Sequence, residues 1–181
     1  RMIATLGCNH DHDRSMRQVD ISFAQQLAVM LGIPDKSSAD SVLLFLTVED
    51  GIKGHNGKSV LYRVFISHGN NGGGGSAPSK LGALEKMSLV LPSADLFIHN
   101  HTHSPIVYKD TYYDIDDKKK CITQKERLYV NCASFLNYWN SYGEKKLMKP
   151  QSQSLPIIKL RAYRNHTRFE DRIRKVLSCE L

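Results

Sequence analysis

The stretch Ala94-Asp95-Leu96-Phe97-Ile98-His99-Asn100-His101-Thr102-His103 most constrains what this chain can fold into. Its short apolar run, 96–98, is bounded by turn-type residues and has the pattern of a buried central strand in a parallel sheet. It runs straight into three histidines. In open α/β sheets, ligands gather just beyond the carboxyl ends of such strands. His101 and His103 are one residue apart and point the same way if the backbone there is extended. Neutral imidazoles at that spacing suit transition metals. The plain alternative is a solvated histidine-rich loop, and other stretches of the chain weigh against it.

Two further clusters lie at predicted strand ends. Residues 2–6 read as a short strand, followed by Gly7-Cys8-Asn9-His10-Asp11-His12-Asp13, a mixture of oxygen and nitrogen donors with a candidate proton donor. An Asx-type turn or helix cap would also favour Asn and Asp there. Residues 60–67 form an apolar strand pattern that ends in His68 and a glycine-rich run through Gly75. That run lacks the Gly-Lys-Ser/Thr of a P-loop and the acidic partner of a dinucleotide site. A mobile loop over a site is the preferred reading, with a plain linker as the alternative. In a parallel sheet, the ends carrying Asn9-His10, His68 and His101-x-His103 would converge on one edge.

The rest of the chain supplies the frame. Asp20 is placed to cap a helix whose apolar positions, Phe23, Ala24, Leu27, Ala28, Met30 and Leu31, are expected in the core, with Gly32 and Pro34 ending it. Residues 41–48 and 60–67 read as neighbouring strands, plausibly a hairpin across a turn at 51–58. Residues 81–91 show a helical face of Leu81, Leu84, Met87, Val90 and Leu91, stopped by Pro92. From 60 to 98 the order is therefore βαβ, which implies parallel pairing. Beyond Pro105 come short strands at 106–108, 112–113 and 128–130, a charged turn at 116–120, an aromatic stretch at 134–139 and a strand at 156–163. A short basic helix is expected at 168–181. No internal repeat is present.

Composition narrows the function classes. With 181 residues, one domain is the default. No apolar run is long enough to span a bilayer and no signal peptide is visible, so no membrane partner is expected. Cys8, Cys121, Cys132 and Cys179 are widely spaced, which argues against a zinc ribbon and gives no disulfide framework. Reduced thiols and a cytoplasmic setting are the simpler reading. The net charge is +7, and ten of the cations with only four acids lie in residues 142–181. A basic end of this kind attracts polyanions or is simply solvated.

Leu6-Gly7-Cys8-Asn9-His10-Asp11 resembles the Gly-Asn-His-Asp/Glu motif of the calcineurin-like metallophosphoesterases. Ser67-His68-Gly69 resembles that family's isolated histidine after a strand, and Asn100-His101-Thr102-His103 its Gly-His-Thr-His motif. The spacing and the glycine-rich loop are similar to phage and prophage members. The resemblance implies an α/β fold: a partial metallophosphoesterase-type β-sandwich flanked by helices. It implies that Asn9, His68 and His101 ligate one divalent metal ion and His103 a second, the ions being manganese, iron or zinc. His10 would contact the phosphate and protonate the leaving oxygen. The substrate would be a phosphodiester or phosphomonoester, with nucleic acid favoured by the basic end.

The chain departs from the family pattern in three places. Only eight residues precede Asn9, and the family's first two motifs, Asp-x-His and Gly-Asp-x-x-Asp, are absent. Cys8 and Asn100 stand where the motifs carry glycine. The expectation is therefore a single, incomplete domain over 1–181, the carboxyl-terminal part of the fold. An exposed sheet edge would be covered by another copy or by an amino-terminal segment. The rival expectation is a non-catalytic remnant of the fold that binds polyanions or nucleic acid, and a third is an inert structural remnant. The contiguous His99-Asn100-His101 is not an HNH nuclease signature, which is a dispersed set of residues.

Overall fold

Val60, Tyr62 and Val64 alternate with Leu61, Arg63 and Phe65 along one strand: the first set is buried throughout, and the second becomes buried only at Phe65, where a helix covers that face. The computed structural model describes residues 4–7, 22–51, 57–69, 76–135, 137–166 and 171–181. Its elements run β1 (Thr5–Leu6), α1 (Phe23–Met30), a 3-10 turn (Pro34–Lys36), β2 (Ser37–Ser38), β3 (Ser41–Glu49), β4 (Ser59–Ser67) and α2 (Ala77–Val90). They continue with β5 (Leu96–His99), β6 (Ile106–Asp116), β7 (Cys121–Asn131), α3 (Tyr142–Lys145), β8 (Ile157–His166) and β9 (Asp171–Glu180). The architecture is mixed α/β.

A five-stranded sheet has the order β3-β4-β5-β7-β6. β3 and β4 form the expected hairpin, with Ser41 opposite Ser67 and Glu49 opposite Ser59. β4, α2 and β5 form the expected βαβ unit, with Val64 beside Leu96 in parallel. β5 is parallel to β7 on its other side, Leu96 beside Leu128, so this short apolar strand is central. One face of the sheet packs on the β8–β9 hairpin through Val60, Tyr62, Val64, Leu96, Leu128, Val130 and Leu177. The other face packs on α2 through Phe65, Phe97 and Tyr129 against Leu84 and Met87. Phe97 stacks on Tyr129 at 4.9 Å between ring centroids. The protein thus has three layers: hairpin, sheet, helix.

Several local expectations are corrected. Residues 106–108 and 112–113 belong to one eleven-residue strand, β6, paired along its full length with β7. The polar residues between them are cross-strand partners: Arg127 Nε donates to Asp110 Oδ2 at 2.9 Å, and Lys109 pairs with Glu126 at 2.7 Å. The turn at 116–120 is present, with Asp116 Oδ1 accepting the Lys118 and Lys119 amides. The expected basic helix at the end is instead strand β9. Its Ile173, Leu177 and Cys179 pack on the sheet while Arg172 and Arg174 are exposed, a period of two that only docking against Tyr62 and its neighbours makes decisive.

α1 forms where expected, but its cap is Ser22, whose Oγ accepts the Gln25 amide at 3.4 Å. Asp20 lies outside the described residues. The expected core role of α1 is also overturned. Only Ala28 is buried, and Phe23, Leu27, Met30 and Leu31 are exposed. Among the described residues, its main neighbours are the two-residue β1–β2 pair and the 3-10 turn, which are too small to cover an apolar face. At the sheet edge, Leu43 and Phe45 of β3 and Leu61 of β4 are exposed on the helix side of the sheet. Among the described residues, no helix is long and apolar enough to cross a membrane.

Candidate functional site

Ser67, His99 and Asn131 lie side by side at the carboxyl ends of the three parallel strands β4, β5 and β7. The residues that follow these ends form the candidate site. His68 comes directly after β4 and His101 after β5, and their rings meet edge to face with centroids 5.4 Å apart. His101 and His103 also line a cavity of about 200 Å³ with Ser134, Tyr138, Tyr142 and Lys149. Three of the five residues expected at the site, His68, His101 and His103, therefore share one sheet edge. Asn9 and His10 lie outside the described residues.

The backbone under these histidines is not extended, so the alternation expected of His101 and His103 does not apply. Both adopt left-handed conformations, φ 62° at His101 and 52° at His103. Such a residue costs roughly 1–2 kcal/mol unless it is glycine or forms compensating contacts. The compensation comes from Asn131, 1% exposed, whose Nδ2 donates to Thr102 Oγ1 at 2.7 Å and to the Ser104 carbonyl. Two points of the histidine loop, on either side of His103, are thereby tied to the end of β7.

The same amide orders His99. The Ser104 carbonyl only accepts, so the Asn131 nitrogen faces it and Oδ1 faces His99 Nδ1 at 2.8 Å. In the neutral ring, Nδ1 then carries the hydrogen and Nε2 the lone pair. His99 is 5% exposed, and its ring lies against Gly69. A Cβ on Gly69 would stand 2.1 Å from His99 Nε2, and Gly69 has φ +82°, so glycine is required there twice over. His99 is thus a packed spacer between the β4 and β5 ends, and Gly69 carries the chain past it immediately after His68.

Positive charge approaches the site from two sides. Lys80, in the first turn of α2, donates through Nζ to Ser104 Oγ, and Ser104 Oγ lies 3.1 Å from Gln151 Oε1. Lys149 lines the histidine cavity. Among the described residues, the thiol nearest the strand ends is Cys132, whose amide bonds the His99 carbonyl at 2.9 Å. Burial pushes its pKa up, with the Cys179 thiol a smaller contributor, so it is a poor nucleophile.

Comparison with known protein families, with curated proteins and with solved structures found no match to this chain.

Two imidazoles on one tetrahedral ion, each about 2.0–2.1 Å away through nitrogen, place their ring centroids roughly 5 Å apart. The His68–His101 separation is close to that spacing. Among the described residues, no group of three or more His, Cys, Asp or Glu side chains could hold a metal ion. The described residues thus supply two neighbouring imidazoles, and these alone do not make up a metal site.

Sequence reading missed Asn131, Lys80 and Ser104 as parts of this site. Asn131 did carry a signal: a polar residue that ends the apolar run 128–130. Its partners are 27 to 32 residues away, which local pattern does not show.

Proposed function

We propose that this chain is a metal-dependent phosphoesterase that hydrolyses a phosphodiester or phosphomonoester with metal-activated water. The observation that carries the reading is the approach of the His68 and His101 rings at the shared carboxyl edge of two parallel strands. The motif resemblance to calcineurin-like metallophosphoesterases supports it, as does the presence of Lys80 and Lys149 around the histidines. On this reading the domain is a partial metallophosphoesterase-type sandwich. Its substrate is a phosphate ester, with nucleic acid favoured by the basic balance of the chain.

His68, His101 and Asn9 would hold one divalent ion, and His103 would contribute to a second. Bound metal supplies Lewis-acid charge and a water of lowered pKa. Asn131 keeps the loop bearing His101 and His103 in its left-handed form. Lys149 offers positive charge to a phosphate entering the cavity, and His10 is assigned the proton to the leaving oxygen.

Elemental analysis of the purified chain, paired with hydrolysis of bis(p-nitrophenyl) phosphate and p-nitrophenyl phosphate in Mn²⁺, Fe²⁺ or Zn²⁺, tests the reading. Loss of an outer-shell partner alone costs about 10–100-fold in metal affinity or activity, so H68A/H101A is expected to lose more than that. A wild-type chain that binds no metal and turns over neither ester defeats the proposal. Metal content unchanged in H68A/H101A defeats the ligand assignment.

A further inference from the structure

A second cavity, of about 530 Å³, opens at the opposite end of the central strand from the histidines. Asp95, immediately before β5, lines it, whereas His99 ends β5. Three residues lie between Asp95 and His99, four steps along the strand or roughly 13 Å. Strand β9 contributes Arg174 and Lys175, β4 contributes Arg63, and the outer half of the β6–β7 hairpin contributes Tyr112, Lys125 and Glu126.

The ion pairs around this cavity leave its two guanidinium groups over. Asp95 is buried, accepts the Arg63 backbone amide at 2.8 Å and binds Lys175 Nζ at 2.6 Å. Lys125 is held by Asp114, and Glu126 by Lys109. Both lysines and both carboxylates of the lining therefore have partners. Among the described residues, Arg63 and Arg174 have no carboxylate within ion-pair distance. Arg63 Nη1 donates to the Ser93 carbonyl at 3.2 Å, and the Arg174 guanidinium lies 4.8 Å from the centre of the Tyr163 ring. A guanidinium keeps its charge at any physiological pH and matches phosphate oxygens with two parallel donors. The walls also hold apolar surface from Tyr112, Val176 and Leu177. The volume lies within the range of about 300–1,000 Å³ typical of small-ligand sites, well beyond a bare phosphate ion.

We propose that this cavity binds a small organic phosphate of mononucleotide size, with Arg63 and Arg174 supplying unpaired positive charge along its lining and the Tyr112–Val176–Leu177 wall receiving its organic part. The site is separate from the histidine edge and does not depend on the phosphoesterase reading.

Calorimetric titration with adenosine 5′-monophosphate tests it, with inorganic phosphate as the comparison probe. Wild type is expected to bind the nucleotide more tightly than inorganic phosphate, and more weakly as salt rises. R63Q/R174Q is expected to lose at least tenfold in affinity, R63K/R174K to lose less, and H68A/H101A to bind as wild type does. Thermal melts of each variant report on folding, and the single variants R63Q and R174Q stand in if the pair melts early. No nucleotide binding at millimolar concentration overturns the proposal. So does binding unchanged in R63Q/R174Q, or binding lost in H68A/H101A, which would place the phosphate among the histidines. Inorganic phosphate binding as tightly as the nucleotide overturns the ligand class.

Discussion

Asn131 shows how a single residue sets the geometry of this edge. Its amide satisfies His99 Nδ1, Thr102 Oγ1 and the Ser104 carbonyl together, in a position almost closed to water. Leucine has nearly the same size but none of these groups. Asn131→Leu leaves a buried imidazole N–H and a buried carbonyl unpaired, at about 1–3 kcal/mol each. Urea unfolding is expected to show a loss of about 2–4 kcal/mol. A loss under ~0.5 kcal/mol would mean that the loop carrying His101 and His103 does not depend on this amide. The gathering of His68, His101 and His103 at strand ends was legible, because a strand running into a histidine is a local pattern. The left-handed backbone of His101 and His103 was not, since it depends on a partner about thirty residues further along the chain.

At the scale of elements, α1 is the more apolar helix and α2 the more buried one. Leu84 of α2 is fully buried in one cluster with Phe97 and Tyr129, whereas Leu27 of α1 is exposed. Leu84→Ala is expected to cost about 2–5 kcal/mol, and Leu27→Ala within about 0.5 kcal/mol. Equal losses in chemical denaturation would mean that α1 is covered in solution. The β8–β9 hairpin is fastened by Tyr62. The Tyr62 hydroxyl donates to the Arg161 carbonyl at 2.6 Å and accepts the Val176 amide at 2.8 Å, so one oxygen bridges both strands of the hairpin. Tyr62→Phe removes both bonds without changing the ring, and a loss of about 1–3 kcal/mol is expected. Faster amide exchange at Val176 would locate that loss in the hairpin. Unchanged exchange and an unchanged unfolding midpoint would mean that apolar packing alone docks it.

For the whole molecule, the three-layer packing ties stability to alkaline pH. Burial raises the pKa of Tyr62, Tyr112 and Tyr129 above the ordinary 10.0, with charged neighbours making smaller contributions. The Asp114 hydrogen bond raises Lys125 as well. For each of these groups, the folded state holds its proton more tightly than the unfolded chain does. The stability they contribute is complete below their unfolded pKa and is lost as pH rises through the folded value. Urea midpoints are expected to hold steady up to about pH 9 and to fall beyond about pH 10, alongside tyrosinate absorbance. Midpoints flat to pH 11 would show the tyrosines to be solvated. On the acid side, Lys125 lowers Asp114 and Lys159 lowers Glu180, but both carboxylates are exposed and their pairs are screened.

The sequence alone determined the β3–β4 hairpin, the βαβ unit from β4 to β5, the central place of 96–98 and the delivery of His68, His101 and His103 to strand ends. Each follows from periodicity within about a dozen residues, where a strand or helix declares which face it must bury. Tertiary structure decided that the basic end is a strand, that α1 finds little to pack against among the described residues, and that β6 continues through its polar residues. It also decided that Arg63 and Arg174, 111 positions apart in the chain, face one cavity. Those outcomes depend on which surface is available to cover an apolar face, and on which distant group satisfies a buried donor or leaves a charge unpaired. Neither is a property of the local segment.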